Sequence, residues 1–135
     1  MRTPRSTSDT PPPEVAADPA ALATWTATVA ALREAGLWTA ADRAVVTRYS
    51  LLSSLWAAAQ RDVTEGGTMM KTQSGYESVR VSAVLVTKLA AAMLAIESAI
   101  GLNARGRSRL KPSSPNESDA VAKERAFLRR VMVRA

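Results

Sequence analysis

Glu77–Ile100 reads ESVRVSAVLVTKLAAAMLAIESAI, and this stretch decides the fold. At about 100° per residue, Val81, Leu85, Leu89, Ala92, Met93, Ile96 and Ile100 fall on one side of a helix. Ala83, Val84, Thr87, Ala90, Ala91, Leu94 and Ser98 fall on the other. Lys88 and Glu97 point in opposite directions between the two sides. A helix with a bulky apolar face and a second face of small residues is usually packed on both, and a chain of 135 residues has too few other helices to cover both. The pattern therefore predicts oligomerisation through Ala83, Val84, Thr87, Ala90, Ala91, Leu94 and Ser98. The alternative is a helix central in a monomeric bundle. A membrane span over Val81–Ile100 is disfavoured, since Lys88 and Glu97 would each cost about 2.5–3.5 kcal/mol near a bilayer centre. A buried helix of a soluble protein is the better reading, with no membrane partner.

Working backwards, Gly66-Gly67 ends an earlier helix, and Thr68–Ser78, with Gly75 inside it, is a loop or a small hairpin. That earlier helix spans about Ala40–Thr64, because Val45, Tyr49, Leu52, Trp56, Ala59 and Val63 recur at alternating spacings of four and three. Thr39 with Asp42 three residues later resembles a capping box with Asp in place of Glu. The first helix covers about Pro19–Ala35. Asp18-Pro19 supplies its cap and first position, Leu22, Trp25, Val29 and Leu32 its apolar stripe, and Gly36 a left-handed stop. So short a gap between these helices predicts an antiparallel pair. Residues 1–17, with Pro4, Pro11–Pro13 and several Ser and Thr, read as a disordered arm.

Working forwards, Gly101 closes the third helix and a basic connection follows, with Arg105, Arg107, Arg109 and Lys111 beside two glycines. Pro112–Asn116 is a linker. Ser118 can cap a last helix of about Asp119–Arg134, where Val121, Phe127, Leu128, Val131 and Met132 form an apolar arc flanked by Lys123, Arg125, Arg129, Arg130 and Arg134. Such an arc has no core of its own and predicts docking on a partner. The fold expected is all-α: an antiparallel helical hairpin or bundle with long central helices, in a core of residues 18–111. It is flanked by the arm 1–17 and by a linker and basic helix over 112–135.

Charge follows the same division. The chain carries 18 Lys and Arg against 12 Asp and Glu, and all of the resulting +6 lies in residues 101–135, because residues 1–100 hold as many acids as bases. A neutral helical body with a cationic end suits nucleic acid, an acidic protein or an anionic membrane. Without His or Cys there is no His/Cys zinc site, no Ser/His/Asp or Cys/His nucleophile and no disulfide. No Gly-rich phosphate loop is present, since Gly66-Gly67 lacks a following Gly-Lys-Ser/Thr. Asp42, Asp62, Glu65 and Glu97 form no paired arrangement and read as caps and solvated charges. We assign no catalytic residue, no metal and no cofactor. Trp25, Trp38, Tyr49 and Trp56 could stack bases, but they lie on the apolar seams or in the turn between them and read as core. The Thr, Ser and Pro after the basic N-terminus are not a secretory signal, which predicts a cytoplasmic protein.

In this order, Trp25, Leu32, Gly36-Leu37, Asp42, Tyr49 and Trp56, a glycine-bearing loop (Gly66, Gly67, Gly75), then an Ala/Leu-rich helix and the block GLNARGRSRL resemble the small terminase subunit of tailed bacteriophages. The resemblance covers about Trp25–Leu110. Gly101, Leu102, Arg107, Arg109 and Leu110 match the family's final block, while Asn103 stands for its Thr/Ser and Ala104 for its Pro. Val79–Ser82 lacks the Pro that commonly opens the third helix. The resemblance implies a non-enzymatic homo-oligomeric ring that recognises the packaging-initiation region of viral double-stranded DNA in the host cytoplasm during phage assembly. It would present that DNA to the large terminase subunit, which carries ATPase and nuclease. Candidate DNA contacts are Arg105, Arg107, Arg109 and Lys111, then Lys123, Arg125, Arg129, Arg130 and Arg134. The alternatives are a helix-turn-helix transcriptional regulator reading DNA through Thr39–Thr64, and a helical adaptor whose basic end binds an acidic protein.

Overall fold

Asp18 does what a cap should: its carboxylate accepts the amide hydrogens of Ala20 and Ala21, and Pro19 occupies the first helical position. It thereby starts α2 (Pro19–Glu34), preceded by a single turn, α1 (Pro13–Ala16). The computed structural model of the chain describes residues 9–110 and 124–130. After α2, Gly36 at φ 69° turns the chain. Thr39 and Asp42 then form the expected capping box around a short 3₁₀ turn, Ala40–Asp42, ahead of α3 (Arg43–Gly66). Two three-residue strands follow, β1 (Met69–Lys71) and β2 (Glu77–Val79), paired antiparallel with Met69 opposite Val79 and Lys71 opposite Glu77. α4 (Val81–Ile100) and α5 (Ala104–Arg109) complete this part of the chain. Residues 124–130 are helical as well. The protein is mostly helical, and the hairpin is a small departure from an all-α fold.

α3 is the spine. Its 24 residues span about 36 Å, against about 24 Å for the 16 of α2, so α2 covers only part of it. Asp18, at the start of α2, takes a hydrogen bond from Ser54, and Thr24 bonds Ser53, which lays α2 antiparallel along the first half of α3. The hydroxyl of Ser54, then the amide of Ala21, hold the Asp18 carboxyl below its ordinary range. α4 returns along α3, with Ser82 donating to Asp62 near one end and Tyr49 donating to Glu97 at 2.8 Å near the other. Glu97 and Asp62 are thus ties between helices and not freely solvated charges. Burial, then the hydrogen bond and charge of Glu97, push the Tyr49 phenol up to about 12.

The core lies where α1, α2, α3 and the end of α4 meet, around Val15, Ala21, Trp25, Val29, Leu32, Val46 and Ile100. Trp25 and Trp38 pack edge to face at 6.2 Å. Burying side chains of the Leu32 and Val15 type contributes about 1.5–3 kcal/mol each.

Four expectations need correction. The arm does not extend to residue 17. Val15 is fully buried, Asp9 accepts from Trp38 Nε1 at 3.0 Å and pairs with Arg33, and Arg43 donates to the Thr10 carbonyl at 3.2 Å. One aliphatic side chain and two polar anchors therefore hold residues 9–17 against α2 and α3, while residues 1–8 lie outside the described part. The third helix starts at Val81 and not at Glu77, because residues 77–79 pair with β1. Its inward face is also rotated in the first half. Ser82 is buried against Asp62 and Val86 half-buried, whereas Val81 and Leu85 are exposed.

Nor is α4 a buried helix. By length and composition alone it could cross a membrane, and only a small share of it is buried. Its inward edge is nevertheless committed to α3 through Ser82 and Glu97.

Candidate nucleic-acid interface

The predicted basic connection after Gly101 is a short helix. Gly101 adopts the left-handed φ of 82° that ends α4, and a side chain there would meet Leu37 and Leu110. Asn103 then caps α5, its side-chain oxygen accepting the Gly106 amide hydrogen at 2.7 Å while its amide nitrogen donates to Ser98 Oγ at 2.9 Å. Gly106 is buried against α4, where an added Cβ would lie 2.4 Å from the Ser98 carbonyl oxygen. Only glycine permits this contact, and it clamps α5 to the end of α4. Two glycines among arginines suggest an open connection in the sequence. The signal that marks a helix instead is Asn103, a favoured N-cap residue three positions before the amide it satisfies.

The clamp fixes the cations. Arg105 and Arg109, four residues apart, lie on one side of α5, and Arg107 lies on the other, where its guanidinium donates to the Leu102 carbonyl at 2.9 Å. All three are exposed. Among the described residues, no carboxylate lies within ion-pair distance of any of them. Apart from the bond that Arg107 makes to Leu102, no protein carboxylate competes for these guanidinium donors among the described residues. Arg125, Arg129 and Arg130 are exposed on the helical segment 124–130, beside Phe127 and Leu128, which are exposed too. Lys111, Lys123 and Arg134 lie outside the described residues.

The small-residue face of α4 is mostly open. Val84, Thr87, Ala90, Ala91 and Leu94 are exposed, while Ala83 and Ser98 are half-buried, Ser98 under α5. Val81 and Leu85 widen the exposed apolar surface. Of the aromatic side chains proposed as base-stackers, Trp25 is in the core, Trp38 is half-buried in the turn between α2 and α3, and Tyr49 and Trp56 are half-buried on α3. No cluster of three or more acidic residues able to hold a metal occurs among the described residues.

The phage terminase small-subunit family matches residues 21–117, most of the chain. The chain belongs to that family. No curated protein and no solved structure matches it. As a terminase small subunit it has a role in phage packaging, within a family whose members are generally non-catalytic. The match takes in the capped helix α5 and its three arginines and stops before the helical segment 124–130.

Proposed function

We propose that this terminase small subunit is the DNA-recognition component of the packaging machine. In this reading it binds the packaging-initiation site of viral double-stranded DNA and regulates the large ATPase and nuclease subunit. Several copies join through the exposed face of α4, Val84, Thr87, Ala90, Ala91 and Leu94, with Ala83 and Ser98 at its edges, into a ring that acts in the host cytoplasm. The observation that carries this reading is the clamped α5, which holds Arg105, Arg107 and Arg109 exposed and clear of carboxylates. Symmetry repeats such a cationic site around a ring, so individually weak phosphate contacts add into strong, salt-sensitive binding. The segment 124–130, with arginines around exposed Phe127 and Leu128, suits docking to the large subunit as much as DNA.

The geometry speaks against a helix-turn-helix regulator. Asp18 reaches Ser54 and Thr24 reaches Ser53, so α2 and α3 run side by side and do not cross as reading-helix pairs do. Arg43, one of the few cations on the would-be reading helix, is turned to the Thr10 carbonyl.

The test joins native mass to DNA binding. A single species of many subunits is expected, and Arg107→Ala with Arg109→Ala should weaken binding to every duplex alike and flatten its salt dependence. A monomer, or a double variant with unchanged affinity and salt slope, refutes the reading.

A further inference from the structure

α5 is fastened twice, and the two fastenings differ in origin. The first is local: Asn103 and Gly106 hold it to Ser98 at the end of α4. The second comes from far away in sequence. A Cβ on Gly101 would lie 2.7 Å from Leu37 Cδ1 and 3.0 Å from Leu110 Cδ1, so two leucines close over the space that the glycine leaves. Leu110 follows α5, and Leu37 belongs to the turn between α2 and α3. Leu37 is thus the point at which that turn bears on α5.

The turn is incompletely packed on this side, because Gly36, Leu37, Thr39 and Asp42 line a small cavity with Ala99, Ile100 and Leu110. Residues 9 and 10 hold it instead. Asp9 pairs with Arg33 at the end of α2 and accepts from Trp38 Nε1 in the turn at 3.0 Å, and the Thr10 carbonyl accepts from Arg43 at the start of α3 at 3.2 Å. These contacts close a clasp around both helix ends. Trp38 is half-buried, its ring edge to face with Trp25. Without the Asp9 carboxylate its indole N–H loses that acceptor, and a half-buried donor left unpaired draws its ring towards water. Leu37 is the adjacent residue and shifts with it.

We propose that residues 9 and 10 form a clasp that positions α5, with Asp9 acting through Trp38 and Leu37 to keep Arg105, Arg107 and Arg109 in one stance towards DNA. The part that concerns DNA rests on the reading proposed above, whereas the coupling of Asp9 to α5 does not. Asp9 is a positioning residue, since its own carboxylate repels phosphate.

Hydrogen exchange of the full chain tests the coupling without DNA. In Asp9→Ala, the amides of Arg107 and Leu110, bonded to the carbonyls of Asn103 and Gly106, should exchange on the order of tenfold faster, while those of α3 around Ala59 keep their rates. Trp38→Phe keeps a ring but loses the Nε1 donor and should also speed these amides. The double variant should go little beyond D9A, because both changes remove the same bond. Ser53→Ala cuts the tie from Thr24 and should leave α5 exchange as it was. Unchanged α5 exchange in D9A or W38F, or an equal acceleration in S53A, overturns the clasp. Binding of a labelled duplex then tests what the clasp is for. Asp9→Ala removes a negative charge, so electrostatics alone would tighten binding, yet a several-fold loss of affinity is expected. A gain or no change overturns the positioning role. If D9A exchanges faster but R107A/R109A binds the duplex as the unaltered chain does, the DNA-binding reading falls and the clasp stands.

Discussion

The two ends of the α3–α4 pair solve opposite problems. At the hairpin end, Arg61, Lys71 and Arg80 are matched by Asp62, Glu65 and Glu77. Lys71 stands opposite Glu77 across the strands, and Arg80 donates to the Gly66 and Gly67 carbonyls while lying 3.9 Å from Asp62. Charge is nearly cancelled there, and large apolar groups are left out: Met69, Met70, Tyr76, Val79 and Val81 are all exposed. At the other end the apolar groups are covered, with Ile100 buried and Leu37, Trp38 and Leu102 packed against the core. It is the arginines of α5 that are left out. Surface chemistry is thus separated lengthwise, apolar where a protein can cover it and cationic where an anion can.

The largest perturbation should strike both ends alike. Trp25→Ala empties the centre of the shared core and should cost about 3–5 kcal/mol by chemical denaturation. Gly106→Val sharpens the contrast, because its side chain collides with the Ser98 carbonyl. It should cost about 1–3 kcal/mol, weaken the proposed DNA binding and leave the native mass as in the unaltered chain, because the proposed interface residues Val84 and Leu94 are untouched. Val84→Glu with Leu94→Glu should do the reverse. It lowers the native mass and leaves the helical circular dichroism intact, because both positions are exposed in the single chain.

The smallest effect is one of pH. The Tyr49 phenol rises from an ordinary 10.0 to about 12 on folding, so its contribution is full below pH 10 and is lost as pH climbs from 10 towards 12. Tyr49→Phe should remove that part of the alkaline decline in thermal stability. A decline identical in both proteins would mean the phenol's bond to Glu97 does not tie α3 to α4.

Local signals are legible where a residue acts on its own backbone. Asp18-Pro19, the Thr39/Asp42 box and the glycine stop at Gly101 each declare a helix boundary in the sequence and appear in the structure. Long-range partnerships are not. Val15 and Asp9 look like parts of a loose Pro-rich arm, since nothing in residues 9–17 announces that Trp38, Arg33 and Arg43 wait for them. The rotation of α4 is hidden for the same reason. Periodicity makes Val81 and Leu85 inward, but β2 occupies the residues just before them and Ser82 is drawn to Asp62, which turns Val86 towards α3 instead. The arginines at 105, 107 and 109 stand out by composition, whereas their mounting on a capped helix depends on Asn103 and Gly106. The three-helix order is therefore readable, and the way its ends are fastened is not.

The contact of Gly106 with Ser98 also has a mechanical meaning. Between the arginines of α5 and the long helix α4 there is no slack: a left-handed glycine, a side-chain cap and a backbone-to-backbone contact join them within a few residues. If α5 binds DNA as proposed, a pull on that DNA would pass into α4 and on to α3 through Glu97 and Tyr49. In the proposed function, α5 and the α3–α4 pair would act as one lever, so that a load on bound DNA would be shared by the whole frame.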